Sequence, residues 1–413
     1  MKRIYLFSLL LSVALLSKAT DLVVEEFGIT PSYSSIASAV TAANDGDRII
    51  IRNKSGNIPW IEDINVNKSL EFLSFQNDTF FIVQGNYTIT PAIGRTISFV
   101  GMKNLSGGIS TVTNSPAGTR CKVNVVNCYF TSGNITLTYN YFDLQVISSK
   151  LSNGYVAMCH GKVIGSEITT SSYNCITIGQ ESANAGDVTQ IIGNKLYCTS
   201  TSYSGMYLVS TSLFYQVSNN YIRHVNIGIY LSSVYNSSSQ INQFYNNTID
   251  TYSYSNSENG IYISYTSAAN AITELMNNVI DEQTASTSAY GIFVSTFTGQ
   301  LNLYYNHIDN SHYGPIAGAA PTSSLNNTVN TTFSLGVDGR LLAGASGIDG
   351  GNPSPLFYDL DLTVGDAGAY GGSFTLDNYF PAFAGSARVY NMRFPKSIRQ
   401  GTTLSIEADG FDR

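Results

Sequence analysis

The sequence predicts an all-β solenoid, a right-handed parallel β-helix with a short N-terminal capping helix. Three observations carry that expectation. An Asn-x-apolar step recurs at Asn194, Asn220, Asn247, Asn278 and Asn306, spaced by 26, 27, 31 and 28 residues. A glycine follows each step, at Gly205, Gly228, Gly260, Gly291 and Gly314, and the first four continue as Gly-Met-Tyr, Gly-Ile-Tyr, Gly-Ile-Tyr and Gly-Ile-Phe. Between these points the segments are short, β-branched and aromatic, with no helical period. Periods of roughly 20–50 residues belong to solenoids, and short strands select a β-helix over helical or leucine-rich repeats.

The repeat divides into columns. Asn tolerates left-handed dihedrals and bonds locally, so it is expected at a tight bend, where stacked Asn side chains would form an internal ladder. In Gly-Ile-aromatic-aliphatic, alternation turns the aliphatics inward and the aromatic outward. Ile229, Leu231, Ile261, Ile263, Ile292 and Val294 are the expected core; Tyr207, Tyr230, Tyr262 and Phe293 are the expected outer row.

Taken in chain order, residues 1–19 read as a signal peptide. Lys2 and Arg3 open it, Tyr5 to Leu16 is apolar, and Ser17-Lys18-Ala19 places small residues before a cut after Ala19. The apolar run is too short to span a membrane, and no later stretch supplies ~20 apolar residues. The mature chain is therefore expected to be secreted or held at a cell surface, without a transmembrane segment. Residues 20–335 are assigned to the β-helix and its cap. Tyr33 to Ala43 has Ile36, Ala39, Val40 and Ala43 on one face and a serine at its start, which predicts a short capped helix. A turn at Asn44-Asp45-Gly46-Asp47 leads into a buried strand, Arg48 to Ile51. Further strands are expected at Ser69 to Leu73, Phe80 to Val83 and Thr96 to Val100. Coils between 110 and 190 match the repeat only weakly, at Val163 to Ile168 and Cys175 to Ile178. Residues 336–380, rich in glycine, read as a closing segment. Residues 381–413 read as a short β appendage, with strands at Ala387 to Tyr390 and Thr403 to Ala408 around Gly401.

The helix, the Asp45-Gly46-Asp47 turn, the Ile-rich strand and the following Asn67-Lys68-Ser69-Leu70 together resemble the opening coils of the pectin-lyase-like right-handed β-helix superfamily. The closing segment resembles that of bacterial secreted β-helix repeat proteins. The resemblance implies a helix covering the first coil, since a solenoid end otherwise exposes core and strand edges. It also implies carbohydrate as the ligand class. The superfamily's lyases use Ca2+ and an Arg or Lys base on an outer sheet face. The polygalacturonase pattern of Asn-Thr-Asp, Asp-Asp, Gly-His-Gly and Arg-Ile-Lys is echoed here only by Cys159-His160-Gly161-Lys162. A glycoside hydrolase needs two positioned carboxylates, so no catalytic residue is assigned.

Composition narrows the function further. Charged residues are 12% and aromatics 12%, which excludes a disordered chain. A formal net charge of −7 argues against nucleic acid as a partner. Five cysteines, Cys121, Cys128, Cys159, Cys175 and Cys198, are an odd number without metal-ligand spacing. Such a set leaves a free thiol or an intermolecular bridge, and Cys159, Cys175 and Cys198 read as buried small hydrophobes.

Two rows remain for chemistry. The aromatics Tyr207, Tyr230, Tyr262 and Phe293 either contact a sugar polymer along the solenoid or shield the sheet by stacking on one another. Three residues after each Asn come Tyr197, Arg223, Asp250, Asp281 and Asp309. There Arg223, Asp250, Asp281 and Asp309 either hold Ca2+ or an acid/base pair, or decorate a solvated turn. Asp359-x-Asp361-x-Thr363-x-x-Asp366 loosely matches a Ca2+ loop but lacks its terminal Glu, and reads as a structural turn. The leading expectation is a non-catalytic exported protein that binds a polysaccharide or cell-surface glycan, or acts as an adhesin. The alternatives are a polysaccharide lyase or related carbohydrate-active enzyme, and a purely structural surface protein. No metal site is assigned and no cofactor is expected beyond a possible Ca2+.

Overall fold

The computed structural model describes residues 19–76, 79–112, 120–139, 141–179, 185–251, 259–282, 289–310, 314–329, 334–380, 388–393 and 407–411. Residues 1–18 of the expected signal peptide lie outside them, as do Gly401 and most of the second expected appendage strand.

Three long parallel sheets form the chain into a β-helix solenoid. The first has 13 strands, the second 12 and the third 11. Each coil visits the sheets in turn. One coil, for example, runs through Leu213–Ser218, Tyr221–His224 and Ile227–Leu231. Coils stack in register, so Tyr221, Ile222, Arg223 and His224 pair with Thr248, Ile249, Asp250 and Thr251 of the next. Alternation then places equivalent residues of every coil in columns. The inward aliphatics Ile229, Leu231, Ile261, Ile263, Ile292 and Val294 are at most 1% exposed. Near the start the same interior holds a pile of rings, with Phe72 and Phe99 stacked at 5.0 Å and Tyr87 set edge-on to both.

From Gly101 onward the sharp corner between the first and second sheets follows one design. A residue in the left-handed region comes first: Gly101, Asn127, Ser148, Gly165, Gly193, Asn219, Asn246, Asn277, Tyr305 and Asn326. The next residue turns its side chain inward. The sequence reading is corrected on this point: the left-handed residue immediately precedes the recurring Asn rather than being it. The inward Asn residues do form a ladder. In each of Asn194, Asn220, Asn247, Asn278 and Asn306, the backbone N–H and the amide Nδ2 both donate to Oδ1 of the next Asn. Nδ2 also donates to a backbone carbonyl, from Val163 at one end to Leu275 at the other. Asn327 ends the column. Upstream, the Ser166 N–H donates to Asn194 Oδ1, the Ser149 N–H to Ser166 Oγ and the Cys128 N–H to Ser149 Oγ, and the Cys128 thiol donates to the Phe99 carbonyl. These steps belong to coils whose sequence matches the repeat only weakly. A hydroxyl or a thiol does part of the same work without the Asn that makes the period visible.

Ile36–Ala42 is α-helical and is capped by Ser35, whose hydroxyl accepts from the Ser38 N–H. Ile36, Ala39 and Val40 are buried. The helix packs on strands Asp21–Val24, Arg48–Ile51 and Ile64–Val66, and Glu62 accepts from the N–H groups of Ile36 and Ala37. Strand Arg48–Ile51 alternates, with Ile49 and Ile51 buried and Ile50 half-buried, so the expected continuous burial does not hold.

The last solenoid strand is Thr328–Val329. Residues 334–380 then run back along the outside of the corner between the first and second sheets. His307 Nε2 lies 2.9 Å from the Gly350 carbonyl. Asn277 accepts from the Gly368 and Asn352 N–H groups. Asn246 donates to Asp366, and Asn219 to Ala369 and Gly371. The Tyr379 ring reaches Gly165 and Gly193. Glycine is needed where this strap meets the solenoid: a Cβ on Gly339 would stand 2.3 Å from the Tyr221 ring, and one on Gly350 2.7 Å from His307. Beyond the strap, Arg388–Arg393 and Glu407–Phe411 pair antiparallel. The second of these strands overlaps the expected Thr403 to Ala408 at Glu407 and Ala408, the described part of that segment.

Candidate functional site

The corner sets what the second sheet displays. Of the residues that follow each ladder Asn, the first and third point outward and the second enters the core. The third-residue row is Tyr197, Arg223, Asp250, Asp281 and Asp309, each in register with the next. Arg223 Nε lies 3.2 Å from Asp250 Oδ2, and the Tyr221 hydroxyl donates to the same oxygen at 2.9 Å. Burial raises the pKa of the Asp250 carboxyl, against the opposing pull of Tyr221 and Arg223. Asp281 and Asp309 are each 5% exposed. The solvated-turn reading of this row is therefore corrected: these carboxylates sit on strands and are covered.

Part of the cover is the start of the strap. Arg223, Asp250, Thr251 and Asp281 line a cavity of about 260 Å³ whose opposite wall is Ser334 to Val337. The Arg223 guanidinium is the counter-charge to Asp250 there. No group of three or more His, Cys, Asp or Glu side chains is arranged to hold a metal ion among the described residues, so the row does not fit the Ca2+ site weighed from the sequence. Asp359, Asp361 and Asp366 likewise spend carboxylate oxygens on local N–H groups, those of Asp366 and Gly372, of Thr363, and of Asp349 respectively. That is turn chemistry.

The aromatic row lies on a different sheet. Tyr207, Tyr230, Tyr262 and Phe293 occupy one column of the third sheet. Successive ring centroids are 5.1, 4.8 and 5.4 Å apart, at interplanar angles of 62°, 74° and 36°. The rings pack on one another and are also half-exposed. In an edge-to-face contact one ring offers its edge, so that contact leaves its own faces unengaged. Burial raises the Tyr230 pKa, helped by the flanking Tyr262 and Tyr207. No residue of this row lines the Arg223 cavity. Tyr230 and Tyr262 therefore share no cavity with Arg223 and Asp250.

A second aromatic group continues the first. Tyr155, Tyr173 and Tyr203 stand just before third-sheet strands and stack in sequence, at 4.4 Å and 25°, then 5.1 Å and 15°. Tyr203 shares its coil with Tyr207. Rings therefore follow the third sheet over six consecutive coils, from Tyr155 to Phe293, about 24 Å at ~4.8 Å per coil. Tyr155 and Tyr173 were missed because their coils carry Ser149 and Ser166 in place of the ladder Asn, and Tyr203 because it stands just ahead of the Gly205-Met206-Tyr207 mark, although a tyrosine shortly before each short strand was there to be read.

All five cysteines are buried and unbridged. Cys128 serves the corner ladder, and burial pushes its thiol up to about 12 and that of Cys121 to about 11. His160 pairs with Asp143 and Arg120 on the first sheet, away from both rows.

Comparison with protein-family models, with curated proteins and with solved structures returns no match. No helix among the described residues is long and apolar enough to cross a membrane.

Proposed function

We propose that this protein is an exported, non-catalytic β-helix that binds a polysaccharide lengthwise along its third sheet, in the manner of a surface glycan-binding protein or adhesin. The observation that carries the reading is the band of half-exposed rings from Tyr155 to Phe293. Tyrosine offers an apolar body for the C–H faces of sugar rings and a hydroxyl for their polar edges. A ring at every coil matches a repeating ligand better than a compact one. The same reading places the chain with the pectin-lyase-like right-handed β-helices and takes helix Ile36–Ala42 as the cap of the first coil. Its buried Ile36, Ala39 and Val40 support that role.

The test is affinity electrophoresis through gels containing soluble polysaccharides chosen from a glycan array. A double variant, Tyr230→Ala with Tyr262→Ala, is expected to lose at least tenfold in affinity, about 1.4 kcal/mol or more. Unchanged retardation would remove the aromatic band from the mechanism.

A second reading, a lyase acting at the Arg223 cavity, is favoured by one observation: that cavity gathers Arg223, Asp250 and Asp281. Against it, Arg223 is held by Asp250 and the strap forms the opposite wall. Unsaturated products absorbing in the ultraviolet, lost in Arg223→Ala, would establish the lyase over the binding protein.

A further inference from the structure

The outer face of the first sheet carries an unbroken polar column. From Lys162 it runs through Gln190, Gln216, Gln243, Glu274 and Asn302, each in register with the next. Gln190 donates to Gln216 Oε1 at 2.7 Å. Among the described residues, Gln216 Nε2, the Gln243 amide and the Ser218 hydroxyl make no hydrogen bond within the protein. All three residues line a cavity of about 210 Å³. Its other walls include Tyr245, Asn246 and Phe357, and none of its lining residues carries a charge. Phe357 comes from the strap and meets the Tyr245 ring edge-on at 6.3 Å and 83°. The Glu274 carboxylate, one coil on, is engaged by the Tyr245 hydroxyl.

We infer that this cavity is a second binding site, specific for a single neutral sugar ring. Unengaged amides both donate and accept, which suits a ring bearing several hydroxyls. Phe357 and Tyr245 supply apolar walls for its C–H faces. Ligand pockets for drug-sized molecules occupy roughly 300–1,000 Å³, so a smaller cavity suits one ring rather than an oligosaccharide. With no fixed cation in the wall, a uronate gains no partner and loses hydration on entry. The site goes beyond the polymer-binding band: the two lie on different sheets, share no residue, and each can fail alone.

The experiment is saturation-transfer NMR and calorimetry on the full chain, with free glucose, galactose and mannose and their uronic acids as probes. At least one neutral hexose is expected to bind, and its uronic acid at least tenfold more weakly. Gln216→Ala with Gln243→Ala should weaken that binding at least tenfold while keeping the wild-type melting temperature. Tyr230→Ala with Tyr262→Ala should leave it unchanged. If the glutamine variant fails to fold, Phe357→Ala takes its place with the same expected loss. The inference is overturned if no neutral hexose binds at millimolar concentration, if the uronic acid binds as well, or if binding survives removal of these side chains. Polymer retardation unchanged in Tyr230→Ala with Tyr262→Ala, with hexose binding behaving as expected, would overturn the band alone.

Discussion

Asn220 and Asn247 are joined twice: Oδ1 of Asn247 accepts from the Asn220 backbone N–H at 3.2 Å and from its Nδ2 at 2.9 Å. Both side chains are fully buried. Replacing Asn247 by Ala strands those two donors and the Val217 carbonyl that Asn247 Nδ2 serves. Each buried polar group left unmet costs ~1–3 kcal/mol, so Asn247→Ala is expected to destabilise by about 3 kcal/mol. Asn327→Ala, at the half-buried end of the ladder, should cost less than half of that. Urea unfolding of the two variants measures the difference.

This ladder shows how much of the fold was legible in the sequence. Asn194 to Asn306 are visible because one residue type does one job at a repeating interval. Cys128, Ser149 and Ser166 do part of that job with shorter groups, so the period fades upstream while the structure continues. The strap was harder. Its glycines were read as a closing segment, but their route along the corner depends on the outward amides of Asn219, Asn246 and Asn277, which sit next to the conspicuous Asn and were passed over. The aromatic column was read with its direction, because alternation fixes direction. That the acidic row lies on another sheet, beneath the strap, depends on contacts distant in the chain, which no local pattern encodes.

Tyr305 is the one corner residue with a bulky side chain in the left-handed region, at φ 53°. That conformation costs most L residues roughly 1–2 kcal/mol and Asn less. Tyr305→Asn is expected to raise stability by about 0.5–1 kcal/mol, read as an increase in the denaturation midpoint.

The strap should come loose at acid pH from its His307 end. Burial lowers the His307 pKa below its ordinary value, and the Gly350 carbonyl opposes this only in part. The unfolded or detached state then binds the proton more readily. Stability from this contact is present above the ordinary histidine pKa of about 6.5 and falls as pH drops through it toward the folded value. Hydrogen exchange at residues 346–350 should accelerate across that interval, and His307→Gln should flatten the profile.

Gly193→Ala tests the other end of the strap. Gly193 has φ +65°, and a Cβ there would lie 2.2 Å from the Tyr379 ring. The ring must move away, and a loss of about 2 kcal/mol is expected. Limited proteolysis should cut after residue 370 sooner in the variant. Cutting at the wild-type rate would mean that Tyr379 is not an anchor.

The five thiols are expected to ignore a thiol reagent at pH 8 until the chain unfolds. All five are buried out of a reagent's reach, including Cys198, whose pKa is lowered by its hydrogen bond with Cys175. Cys121 and Cys128, pushed up to about 11 and about 12, also hold almost no thiolate, the reacting form. Titration should count no accessible thiol in the native protein and five in denaturant.

The central claim is lengthwise polysaccharide binding without cleavage. It is tested most directly by incubating the protein with each polysaccharide that a glycan array identifies, following ultraviolet absorbance and reducing ends while binding is measured on the same samples. Saturable binding, weakened by Tyr230→Ala with Tyr262→Ala and unaccompanied by new double bonds or reducing ends, is the predicted result. Product formation, or the absence of binding to every polysaccharide, would contradict it.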